Sequence, residues 1–110
     1  KIYVMGGQVD GQSIPTRHCE VFDPCTWTWS VLPPMLTARS NFRSVVLDGQ
    51  IYVIGGDIDI LDSTPNVETF DPATMVWTRI SAMHAARSCF AVALFDRRIY
   101  VAGGFFTSSR

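Results

Sequence analysis

Helical periodicity is absent from this chain of 110 residues. No segment sustains an apolar repeat near 3.6 residues, which leaves essentially no helix in the expected fold. There is no basic stripe. Nine Lys and Arg stand against ten Asp and Glu, for a net charge of −1. That excludes a surface built to follow a phosphate backbone, and with it nucleic acid as a partner. No apolar run approaches the roughly 18 residues of a membrane helix, and no membrane partner is expected. No secretory pattern opens the chain. Asn-x-Ser/Thr does not occur, and Cys19, Cys25 and Cys89 are an odd set at irregular spacing. They make no disulfide framework, and both features favour a reducing, cytoplasmic setting. The chain opens on Lys1 rather than Met, so it is read as part of a longer protein. With 47% apolar and 17% charged residues it can still build a core.

Catalytic and metal patterns are missing too. His18 and His84 are the only histidines, and they share no zinc spacing with Cys19 and Cys25. Asp57, Asp59 and Asp62 lie close together but lack the glycine and distal glutamate of a calcium loop. No serine or cysteine sits in a nucleophile elbow. The Gly-Gly doublets have no following Gly-Lys-Ser/Thr and open no helix, so they do not read as phosphate loops. No cofactor and no metal are expected, and the chain is not read as an enzyme.

What is present is a repeat. Ile2-Tyr3-Val4-Met5-Gly6-Gly7 returns as Ile51-Tyr52-Val53-Ile54-Gly55-Gly56 and again as Ile99-Tyr100-Val101-Ala102-Gly103-Gly104, at steps of 49 and 48 residues. Glu20-Val21-Phe22-Asp23-Pro24 matches Glu68-Thr69-Phe70-Asp71-Pro72. Trp29 matches Trp77, Met35 matches Met83, Ala38-Arg39-Ser40 matches Ala86-Arg87-Ser88, and Phe42 matches Phe90. All of these matches are 48 apart.

Within one period the strands are short. Phe42 to Leu47 is a mostly apolar run that reads as a strand buried on both faces. Asp48-Gly49 suits a type I′ hairpin, and Gln50 to Ile54 returns, rich in β-branched and aromatic residues. A variable polar stretch precedes Val67 to Phe70. Asp71-Pro72-Ala73-Thr74 is a turn, and Val76 to Ile80 is the fourth strand. The third copy replaces Asp-Gly by Asp96-Arg97-Arg98, where the lack of glycine predicts a different turn type. Four antiparallel strands per period of about 50 residues is propeller-blade arithmetic.

The Gly-Gly doublet after an apolar strand, the later aromatic and the Trp beyond it resemble the Kelch repeat, most like that of BTB-Kelch proteins. The resemblance covers the whole chain. It implies an all-β fold of Kelch-type blades, a partial propeller. With strands lettered A to D from the innermost, strands B to D of one blade fall at 2–32, a complete blade at 42–80, and strands A and B of a third at 90–104. Gly6, Gly7, Gly55, Gly56, Gly103 and Gly104 are then structural, as are Trp29 and Trp77, which are expected to pack between blades. The open blade faces need covering, by further repeats or by association of copies.

The resemblance also implies a binding surface. Arg39-Ser40-Asn41 and Arg87-Ser88 precede the innermost strands, which in the Kelch family open onto one mouth of the central channel. Arg offers a planar fork to a carboxylate, so the ligand is expected to be a protein or peptide, including an acidic one. The alternative is that these arginines bond neighbouring backbone and serve the fold alone. The loops from strand B to strand C share that mouth. They diverge between repeats, and rigidly carried loops are where binding residues gather. Among them Arg17, Asp59, Ile60 and Phe105 are partner-binding candidates, beside Asp10, Gln12, Ile14, Ile58, Leu61 and Phe106. Glu20 and Glu68 are each a lone repeated carboxylate and are given no role. The functional expectation is a protein-interaction module: substrate recognition by a BTB-Kelch adaptor of a cullin-RING ubiquitin ligase, the cullin link running through a BTB domain not present here. The alternatives are an actin-associated Kelch scaffold and, less favoured, a Kelch-like propeller enzyme such as the copper oxidase, whose Tyr, His and cross-linked Cys find no matching set here.

Overall fold

A computed structural model describes residues 1–9 and 14–105. Asp10, Gln12 and Phe106 lie outside the described residues. Nine strands follow one another: β1 (Ile2–Met5), β2 (Cys19–Asp23), β3 (Thr28–Leu32), β4 (Arg43–Leu47), β5 (Gln50–Ile54), β6 (Val67–Asp71), β7 (Val76–Ile80), β8 (Ala91–Phe95) and β9 (Arg98–Ala102). They form three antiparallel sheets, ordered β1-β2-β3, β4-β5-β6-β7 and β8-β9. Among the described residues this is one complete four-stranded blade between parts of two others.

The 48-residue period sets the pairing. Ile2 faces Phe22 and Ile51 faces Phe70, while Phe22 faces Trp29 and Phe70 faces Trp77. Since side chains alternate across a strand, equal register sends equivalent residues to equivalent faces. Two apolar layers result. One joins the first and second sheets through Cys19, Leu32, Met35, Ile51, Val53, Phe70 and Trp77. The other joins the second and third through Ile54, Val67 and Phe90, with Val92 and Val101 packed alongside. The core therefore lies between blades rather than within one.

Two local expectations change. The hairpin at Asp96-Arg97 keeps the turn of its glycine-bearing counterpart: φ is 51° and 60° there, against 53° and 76° at Asp48-Gly49. Both central residues are left-handed, as a type I′ turn requires. Arg97 is held by a two-pronged bridge to Asp48, Nη1 donating to Oδ1 at 2.8 Å and Nη2 to Oδ2 at 2.7 Å. Strand β4 is not buried on both faces either, since Arg43, Ser44 and Val46 are exposed. It is the edge of its sheet, paired with β5 alone, and β8 of the third sheet packs near it.

Gly55 and Gly56 show what the doublet does. Their φ angles are 62° and 98°. A Cβ on Gly55 would stand 2.7 Å from the carbonyl oxygen of Arg87, and one on Gly56 2.5 Å from that of Ser40. Their bare backbone lets the next blade's approach segment lie against the strand end, where the Gly56 amide donates to Arg87 O at 2.9 Å.

Candidate functional site

The segments leading into the innermost strands start with an arginine, and of the two roles the sequence leaves open, Arg39 has the contacts of the structural one. Arg39 does not offer its guanidinium to a partner. Its side chain is 0% exposed. Nη1 donates to the carbonyl oxygens of Gly55 and Asn66, each at 2.9 Å, and Nη2 donates to Glu68 Oε2 at 2.6 Å. The physical reason is the carboxylate of β6. Glu68 is itself fully buried and also accepts the amides of Leu36 at 2.7 Å and Thr37 at 3.0 Å. Burial pushes the Arg39 pKa below its ordinary value, the Glu68 charge and hydrogen bond pull it back up, and the nearby Arg79 adds to the depression. Glu68, passed over in the sequence, is the acceptor that gathers this segment. Its signal was available: a carboxylate repeated inside an apolar strand, with an arginine repeated 29 residues before it.

Arg87 occupies the equivalent place in the third sheet but is only partly buried. Its Nη1 donates to Gly103 O at 3.3 Å, and its buried Nε has no partner among the described residues.

After each arginine the chain turns to the surface. Ser40 pairs with Asp57, their amides and carbonyls exchanging bonds of 3.0 and 2.7 Å, and Ser88 pairs with Phe105 in the same way at 2.7 and 2.9 Å. Both serines are buried, and Ser40 Oγ has no partner among the described residues. Asn41 and Cys89 follow at left-handed φ angles of 54° and 52°, and both are exposed. The Asn41 side chain donates to Asp57 Oδ2 at 2.9 Å, and the Cys89 amide donates to Asn41 O at 3.1 Å. These bonds put the Ser40 and Ser88 segments side by side, on one side of the molecule.

The loops between strands B and C rise from the same place. Asp59 is exposed, and its Oδ1 accepts the amides of Leu61 at 2.7 Å and Asp62 at 2.8 Å, closing a turn. That turn lifts Ile60 into solvent at 73% exposure, with Leu61 beside it. Phe105 is 70% exposed. Arg17 is exposed at the end of the first such loop, its Nε donating to Met35 O at 2.9 Å. Ile14 is exposed as well. The surface therefore combines an inner rim of Asn41 and Cys89, set on the buried Ser40 and Ser88, with apolar tips at Ile60, Leu61 and Phe105.

The tryptophans differ from each other. Trp77 is 9% exposed, lies 4.9 Å from Phe70 between ring centres, and donates its indole N–H to Pro33 O at 2.8 Å. Trp29 is 54% exposed although it packs on Phe22 in the same manner. Among the described residues no blade lies against its outer side. Of the cysteines, Cys19 is buried and its thiol is pushed up to about 11, chiefly by desolvation, while Cys25 and Cys89 are exposed. No group of three or more potential metal ligands occurs among the described residues.

The Kelch-motif family profile matches residues 1–36 and 38–84. The chain belongs to the Kelch-repeat family. It is 41% identical over 58 residues to mouse Kelch-like protein 40, a match that spans 53% of this chain and 9% of that protein. It is 40% identical over 52 residues to human Kelch-like protein 7, covering 47% and 8%. A putative F-box/kelch-repeat protein of Arabidopsis thaliana is 45% identical over 56 residues, covering 51% and 15%. The chain thus spans a small part of these relatives. The Kelch repeats make it a protein–protein interaction module built on blades of a β-propeller.

Proposed function

We propose that this Kelch module holds a protein or peptide partner over the face formed by Asn41, Cys89 and the tips of the B–C loops, which the buried Ser40 and Ser88 segments support. The supporting observation is the grouping of Ile60, Leu61 and Phe105, large apolar side chains in solvent on backbone anchored by the Ser40–Asp57 and Ser88–Phe105 pairings. Rigidly carried apolar and aromatic tips beside polar groups are the composition of a recognition surface. With Arg39 enclosed, an acidic group on the partner would be met by Arg17 and the partly exposed Arg87. The partner class is therefore a segment with an apolar anchor and flanking hydrogen-bonding groups, in which acidity is secondary.

The wider role we favour is substrate recognition for a ubiquitin ligase in the cytoplasm, by likeness to the Kelch-like proteins. No catalytic role is assigned. The test is a pull-down of a candidate target with the chain and with its Ile60→Ala, Leu61→Ala, Phe105→Ala variant. Capture is expected to fall about tenfold or more, as loss of apolar anchors does, while the circular dichroism of the sheets stays unchanged. Equal capture by the variant would move the site elsewhere. Capture of actin filaments in place of a ligase target would favour a cytoskeletal scaffold.

A further inference from the structure

We propose that Arg39 is a positioning residue for partner binding: its enclosed guanidinium clamps both ends of the loop that carries Ile60 and Leu61, and so fixes those tips before a partner arrives. This role rests on the recognition face formed by Asn41, Cys89 and the loop tips. Strands β5 and β6 end their pairing at Ile54 and Val67. The loop between them therefore starts at Gly55 and ends at Asn66. Arg39 Nη1 donates to the carbonyl oxygens of these two residues, each at 2.9 Å. One nitrogen from a separate segment of chain thus spans the neck of the loop. The Gly55 amide closes the same neck from within, donating to Asn66 O at 3.0 Å.

The clamp is itself held. Arg39 Nη2 donates to Glu68 Oε2 at 2.6 Å, and Glu68 also accepts the amides of Leu36 at 2.7 Å and Thr37 at 3.0 Å. A guanidinium is a planar fork, so fixing Nη2 also fixes where Nη1 points. Every residue of the clamp, from Leu36 to Glu68, lies between β3 and β7.

Order passes from the neck to the tip. Ser40 and Asp57 exchange backbone bonds of 3.0 and 2.7 Å, and the Asn41 side chain donates to Asp57 Oδ2 at 2.9 Å. Across the loop the Thr64 amide donates to Gly56 O at 2.8 Å and the Ile58 amide to Asp62 O at 2.9 Å. Asp59 Oδ1 then accepts the amides of Leu61 and Asp62 beneath the tip. Gly55, Gly56, Ser63 and Thr64 at the base are buried, whereas residues 58–61 are exposed. Ile60, at 73% exposure, has little packing of its own, so its place is set from below. A partner that must first order such a loop loses affinity in proportion to the copies not yet ordered.

Amide hydrogen exchange on the full chain, followed by NMR, gives the first test. In the wild type the amides of Ile58, Asp62 and Thr64 are expected to exchange about a hundredfold more slowly than in an unstructured peptide. Exchange as fast as in such a peptide overturns the proposal without any variant. Arg39→Lys keeps a cation beside Glu68 but replaces the fork with a rotatable ammonium. The three loop amides should then exchange about tenfold faster, while those of β5 and β6 keep their wild-type rates. The binding probe is a peptide selected on the wild-type chain from a random display library and lost on Ile60→Ala. Its Kd should rise about tenfold for Arg39→Lys, as when about a tenth of the copies present the tip. An unchanged Kd, faster exchange spread evenly over the strands, or a variant that does not fold would each leave Arg39 as a support of the fold alone and overturn the proposal. Loop exchange as expected with no Ile60-dependent peptide in the library would instead overturn the recognition face, and the positioning role with it.

Discussion

Three hydrogen bonds, from the amides of Leu36 and Thr37 and from Arg39, converge on Glu68 inside the second blade, and the carbonyls of Gly55 and Asn66 take the other end of the same guanidinium. A buried charge pair contributes little net stability compared with an apolar replacement, yet leaving one partner alone is costly. Arg39→Met strands the Glu68 carboxylate, and it is expected to lower unfolding stability by about 3–5 kcal/mol. Urea denaturation followed by circular dichroism measures this. Arg87→Met, with no carboxylate bonded to it among the described residues, should cost far less, and equal losses would mean that Glu68 is not what makes Arg39 essential. This pair also shows where residue-scale reading stopped. The arginine and the glutamate were both visible as repeats. Their convergence was not, because 29 residues of chain separate them and two strands must pair before they meet.

At the level of the element, hairpins and doublets turn on left-handed backbone. Asp48-Gly49 announces its turn by composition, whereas Asp96-Arg97 adopts the same turn without glycine. Strand twist dictates the turn, and the Arg97–Asp48 bridge, between exposed side chains, adds only modestly to it. The two ends of the doublet series separate backbone conformation from crowding. Gly55 and Gly103 have φ of 62° and 74°, but among the described residues a Cβ on Gly103 would meet nothing within 4 Å, while one on Gly55 would strike Arg87 O and Phe90. Gly103→Ala should therefore cost only the left-handed penalty of about 1–2 kcal/mol. Gly55→Ala should cost clearly more, read as a larger drop in the urea midpoint. If the two losses match, the close approach of the blades is not what requires glycine at 55.

Over the whole molecule, stability lies in the layers between blades, and position in the series decides how much each repeated side chain contributes. Trp77 is enclosed by the first sheet and Pro33, so Trp77→Ala should destabilise the chain by about 3–5 kcal/mol, as other large core truncations do. Trp29→Ala, the same change one period earlier, should cost about 1 kcal/mol or less, as for exposed positions. Thermal melts of both variants compare them directly, and a large loss at Trp29 would mean that exposure does not set what it contributes.

Strand order, turn positions and the Kelch character of the chain were set by the sequence itself, because a 48-residue period repeats local chemistry that each blade reads independently. Which repeated residues are enclosed and which remain at the surface was decided only by tertiary structure. Arg39 and Arg87, or Trp29 and Trp77, have like neighbours along the chain, but burial depends on what a neighbouring blade brings against them across space.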